Sequence, residues 1–142
     1  MEEQPSGRLV DQRIRNRIME AVEALAGGDE TVRREWPVEY FESFYDWIPH
    51  QIDGEMRYNS AITPEERAVL LEVSSILDAA CDATTGNMDA DEFIASGWPK
   101  RIQPVAFKAL KLMRNRGKFS EDQEENSPMN VLEGLEPDRR PM

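Results

Sequence analysis

Residues 36–49 carry six of the chain's eleven aromatic side chains, and their spacing suits only one regular structure. Wound at about 100° per residue, Trp36, Tyr40, Phe41, Phe44, Trp47 and Ile48 share one side, and Glu39, Glu42 and Asp46 take the other. As a strand, the same residues would scatter acids over both faces. Pro37 suits a first helical turn and Pro49 ends the pattern. The stretch therefore reads as a short helix that the others pack around. Trp36, Phe44 and Trp47 are expected in the core, because three exposed rings would form an apolar patch that monomers seldom tolerate.

The rest of the chain repeats the helical period. In residues 8–26, Val10, Ile14, Ile18, Ala21, Val22 and Leu25 share one face, with Arg13, Arg17 and Glu20 outside it. Gly27-Gly28 ends that helix. Residues 31–35 read as a polar link, and residues 49–60 as a loop. Thr63-Pro64-Glu65-Glu66 is a strong helix start: Thr63 caps, Pro64 fits the first turn, and Glu66 can bond back to the cap. Val69, Leu70, Val73, Ile76, Leu77, Ala80 and Cys81 give this helix a broad apolar face, as a central helix would have. Asp89 and Glu92 repeat the capping pattern before a short helix closed by Gly97. A last helical segment runs from Trp98 to Gly117, interrupted at Pro104 by a kink or a restart.

No strand-like alternation and no internal repeat stand against this pattern. The expected fold is all-α, a single-domain bundle of about five helices over residues 8–119. Residues 1–7 and the acidic tail 120–142 are expected to be disordered. A chain of 142 residues suffices for one domain with a sizeable core.

Charge is unevenly spread over a net −11. Residues 29–96 hold sixteen acids and four bases, residues 98–119 seven bases and no acids, and residues 120–142 seven acids and two bases. This layout argues against nucleic-acid binding by the whole surface and favours a basic partner. No long apolar run offers a membrane span, and the acidic N-terminus lacks the features of a secretory signal. With Cys81 alone, no internal disulfide is possible, so a reducing cytoplasm is the expected compartment.

Residues for chemistry are scarce. His50 is the only histidine, with Asp46 one turn back, and an enzyme pocket near His50 is one alternative reading. Cys81 lies on an apolar face and reads as a small hydrophobe. One His and one Cys do not make a zinc site, and no Glu-x-x-His pair supports a di-iron bundle. The stretch Gly86 to Phe93 looks like the second half of a calcium loop, but the early ligand positions would be Cys81, Ala83 and Thr85. Capping already accounts for Asp89 and Glu92. No catalytic residue, metal or cofactor is expected.

Two surfaces remain. Glu39, Glu42 and Asp46 form an acidic face suited to a protein partner with a basic surface. Lys100, Arg101, Lys108, Lys111 and Arg114 form a basic stripe, with Phe107 beside it for stacking, suited to a nucleic-acid-associated regulator. Neutralisation of the stripe by the protein's own acids is the favoured account, so nucleic acid is not the expected partner.

The order of an opening amphipathic helix, Trp36-Pro37-Val38, Asp46-Trp47-Ile48, a capped central helix and a final helix from Trp98 to Gly117 resembles small acidic all-helical bacterial proteins of uncharacterised function. Some proteins of this sort are immunity proteins that neutralise a toxin. The resemblance spans residues 8–119 and rests on architecture. It implies a non-enzymatic inhibitor of a basic protein target and assigns no residue a role.

Overall fold

The structure, a computed structural model, describes residues 5–125. The disorder expected of residues 1–4 and 126–142 lies outside the described residues. Among the described residues every regular element is helical. In chain order these are α1 (Gly7–Ala26), α2 (Asp29–Glu35), α3 (Val38–Tyr45), a single 3-10 turn (Gln51–Asp53), α4 (Pro64–Ala83), α5 (Ala90–Ala95) and α6 (Trp98–Arg114). They form one helical bundle with a continuous apolar core.

Local chemistry sets most of the boundaries. The Ser6 hydroxyl accepts the Leu9 N–H, so α1 opens at Gly7, one residue earlier than its apolar period suggests. Thr63 and Glu66 close a reciprocal capping box at the start of α4, and Asp89 and Glu92 close another at α5. Gly97, with φ of 88°, makes the left-handed turn that sends the chain from α5 straight into α6.

The sixth helix is α2, where a polar link was expected. Asp29 and Glu30 sit in its first turn and Arg33 and Arg34 in its last, the charge order that a helix dipole favours. Thr31 and Val32 are buried beneath it. A charged heptapeptide with two inward residues shows too little periodicity to be read as a helix from sequence. Pro104 does not divide α6, which runs unbroken through it. Pro104 and Lys100 are both exposed, so the hydrogen bond that proline removes lies on the solvent side.

The central helix is α6, and not α4 as its broad apolar face suggested. α6 packs against both α1 and α4 along its length and also touches α2 and α5. Ile102, Ala106, Ala109, Leu110 and Met113 are all buried on it, and the two alanines let neighbouring helices approach closely. α3 and α5 join at an aromatic cluster. Trp36 stacks on Phe93 at 4.4 Å between centroids, and Tyr40 and Phe41 meet the same ring edge-on at 5.5 and 5.8 Å.

One core assignment is overturned. Phe44 is 1% exposed and Trp36 is half-buried, but Trp47 is 37% exposed. Helix α3 ends at Tyr45, so Trp47 no longer follows the helical phase. The turn through residues 46–48 leaves Trp47 partly exposed and places Ile48, 1% exposed, in the core instead.

Candidate functional site

The turn that exposes Trp47 also organises the acidic face. Glu39 and Glu42 are one turn apart on α3, and Asp46 is its C-terminal cap. All three are exposed. Among the described residues none of them has a basic side chain within ion-pair distance; the ion pairs of the molecule lie elsewhere. Asp46 sits at the negative end of the α3 dipole, an arrangement that mildly opposes folding.

Asp46 and Trp47 form a ridge between two clefts. One, of about 270 Å³, lies between α1 and α3 and is lined by Arg17, Glu20, Glu35 and Ser43 as well as the ridge. The other, of about 220 Å³, is lined by Ile14, Ile18, Met56, Arg57 and Tyr58 together with the same two residues. Tyr58 is 77% exposed. Two aromatic side chains with polar tips, flanked by unpaired carboxylates and concave surface, match the make-up of protein-binding hot spots.

The basic stripe has a different character. Lys100 pairs with Asp29 at 3.3 Å, Lys108 with Glu72 at 3.2 Å and Arg114 with Glu23 at 3.2 Å. The Arg101 guanidinium lies over the Trp98 ring, 4.0 Å from its centroid. Only Lys111 of the five lacks a partner of either kind among the described residues. The stripe is largely neutralised by acids of α1, α2 and α4.

His50 lies in a hydrogen-bonded knot at the far end of α4. Its Nδ1 accepts the Ile52 N–H at 3.4 Å, which leaves the proton of the neutral ring on Nε2. That nitrogen is 3.6 Å from both Asp78 Oδ1 and Asp82 Oδ1. The Tyr45 hydroxyl donates to Asp78 Oδ1 at 2.5 Å, and the Gln51 N–H donates to Asp78 Oδ2 at 3.1 Å. Burial, helped by the Asp78 contact, holds the Tyr45 phenol far above its ordinary value. Burial and the neighbouring carboxylates of Asp82, Asp78 and Glu42 raise the Cys81 thiol, which disfavours the reactive thiolate. His50 lines neither of the two clefts beside Trp47. The knot ties the end of α3 and the 3-10 turn to α4. Among the described residues no group of three or more His, Cys, Asp or Glu side chains is arranged to hold a metal ion.

Sequence reasoning missed the most elaborate polar constellation in the molecule. Arg15 on α1 is fully buried. Its guanidinium meets Glu66 at 2.8 Å and donates to the Met113 and Gly117 carbonyls, each at 3.0 Å, at the C-terminus of α6. Arg116 pairs with the same carboxylate at 2.9 Å. Burial alone would raise the Glu66 carboxyl. The Arg116 hydrogen bond, the Thr63 N–H and the two cationic neighbours outweigh it and hold the group below the usual carboxylate range. Burial lowers the Arg15 guanidinium, with Glu66 opposing.

The chain after α6 completes this hub. Phe119 is buried, with the guanidinium carbons of Arg8, Arg15 and Arg116 between 5.0 and 5.4 Å from its ring centre. Asn16 donates to the Phe119 carbonyl at 2.8 Å and accepts its N–H at 3.0 Å. Gln12 donates to the Ser120 and Gln123 carbonyls and accepts the Glu125 N–H. Residues 120–125, expected in a free tail, are thus seated on α1. The signal was present in the helical phase: Arg8, Gln12 and Arg15 fall on the same line as the buried Met19 and Val22.

No protein-family model, curated protein or solved structure matches this chain. Among the described residues, no helix is long and apolar enough to cross a membrane.

Proposed function

We propose that the protein is a non-enzymatic binding protein that uses the acidic face of α3, with the Asp46–Trp47 ridge at its centre, to dock on a basic surface of a partner protein. An immunity protein or inhibitor against a basic target fits this role, in a cytoplasmic setting. The observation that carries the reading is the exposure of Trp47 beside three unpaired carboxylates. Glu39, Glu42 and Asp46 would steer a basic partner and fix its register. Trp47 and Tyr58 would supply the desolvated contacts that carry most of the affinity. The ion-paired state of α6 weighs against the nucleic-acid reading, and the closed knot at His50 weighs against the enzymatic one.

Affinity capture from the source cells tests this with two baits, the wild type and a Trp47→Ala, Glu42→Lys, Asp46→Lys variant. The expected result is a basic protein held by the wild type, released by added salt and absent from the variant. Identical captures by both baits at every salt concentration would remove α3 from consideration.

A further inference from the structure

The molecule also carries an apolar groove that shares no residue with the acidic face. It lies between α4 and α6 and has a volume of about 470 Å³. Val69, Pro104, Phe107 and Leu112 line it, with Lys108 and Lys111 at the rim. Phe107 is 53% exposed. The groove asks for apolar anchors with a carboxylate beside them, because Lys111 has no acidic neighbour among the described residues, while Lys108 shares its charge with the exposed Glu72 of α4.

The chain itself contains such a segment. Residues 129–136 include Met129, Val131, Leu132 and Leu135 together with Glu133 and Glu136. They lie outside the described residues, but their point of departure does not. Glu125 is held by Arg8 and Gln12. Arg8 also donates to the Ser60 carbonyl at 2.5 Å, and the next carbonyl, Ala61, accepts from Arg116 at 2.6 Å. Arg116 directly follows Asn115, which lines the end of the groove. This relay of contacts places the start of residues 126–142 on the side of the molecule where α6 ends. Three residues span about 10 Å when extended and ten span about 33 Å, enough to bring residues 129–136 along the groove.

We propose that the groove between α4 and α6 is an intramolecular docking site for residues 129–136, with Leu132 and Leu135 against Phe107 and Leu112, and Glu133 and Glu136 facing Lys108 and Lys111. Tethering favours this occupant over others. A linked segment reaches an effective concentration of the order of millimolar, whereas an acidic segment of a second copy must approach a chain whose total net charge is −11. The inference is independent of the role of α3.

Methyl and aromatic NMR on the full chain tests it. Expected are nuclear Overhauser contacts from the Phe107 ring to the Leu132 and Leu135 methyls, unchanged on dilution. A Leu132→Asp, Leu135→Asp variant should lose them and shift the Val69 and Leu112 methyl signals. Lys108→Glu with Lys111→Glu should weaken the contacts, and adding Glu133→Lys with Glu136→Lys should restore them. Identical Val69, Phe107 and Leu112 signals in the full chain and the Leu132→Asp, Leu135→Asp variant would overturn the proposal. So would contacts that fade on dilution, since those would assign the groove to a second copy.

Discussion

The hub around Arg15 and the face of α3 are both built from charged residues, yet they treat charge in opposite ways. At the hub every charge has a partner and its centre has almost no water: Arg15 is fully buried and the Glu66 side chain is 2% exposed, with Arg116 at the margin 24% exposed. On α3 the three carboxylates are wet and unpaired. Charges removed from water contribute through geometry and become liabilities once a partner is lost. Charges left in water contribute little to the fold, and their field, screened by salt beyond about 10 Å, remains available to steer another molecule. The first region is therefore read as structural and the second as available for binding.

Mutation should separate the two regions sharply. Glu66→Ala should cost about 3–5 kcal/mol in urea unfolding, because Arg15 stays buried without its charge partner; Arg15→Ala should cost less, because Arg116 still pairs with Glu66. Phe44→Ala should cost about 3–5 kcal/mol through the cavity it leaves. Asn16→Ala removes both hydrogen bonds to the Phe119 backbone and should cost about 1–3 kcal/mol. Amide exchange over residues 118–125 should speed up in that variant.

Acid offers a second probe. Glu66 is held below its unfolded value, so its contribution is fully present above about pH 5 and is lost as pH falls through the folded value. Wild-type stability should therefore decline below about pH 4, and Glu66→Gln should flatten that limb in a pH series of urea midpoints. Smaller effects belong to the face of α3. Trp47→Ala should cost about 2 kcal/mol, less than a fully buried ring because 37% of the residue is in water, and Glu42→Ala should stay within about 0.5 kcal/mol. A large loss of stability in either would erase the contrast between the two regions.

The parts of the fold that were legible in advance are those set by neighbours in sequence. The capping boxes at Thr63 and Asp89 act over three residues, and the glycine stops at Gly27 and Gly97 act over one or two. What escaped was set by distant partners. Arg15 reads as a solvated cation until the Met113 and Gly117 carbonyls and the Glu66 carboxylate are placed around it, and those lie between 51 and 102 residues away. Trp47 misled for the opposite reason: its phase was sound for a helix, but the helix stopped two residues short of it. The acidic face was legible as a pattern, while the tryptophan at its edge was not.

The seating of residues 117–125 on α1 has a consequence for the order in which the molecule can be made. α1 is the first described element to leave a ribosome, yet the groups that complete the hydrogen bonding of Arg8, Gln12, Arg15 and Asn16 are among the last. Arg8 and Arg15 meet Ser60 and Glu66 midway through synthesis, but the Asn16 and Gln12 side-chain amides wait for residues 119–125, so α1 cannot be sealed into its final place until α6 and the segment behind it have emerged. Contacts spanning more than a hundred residues slow the closing step of folding. A nascent chain halted before Gly117 should accordingly remain open to proteolysis at α1, and the complete chain should acquire protection there in a single late event.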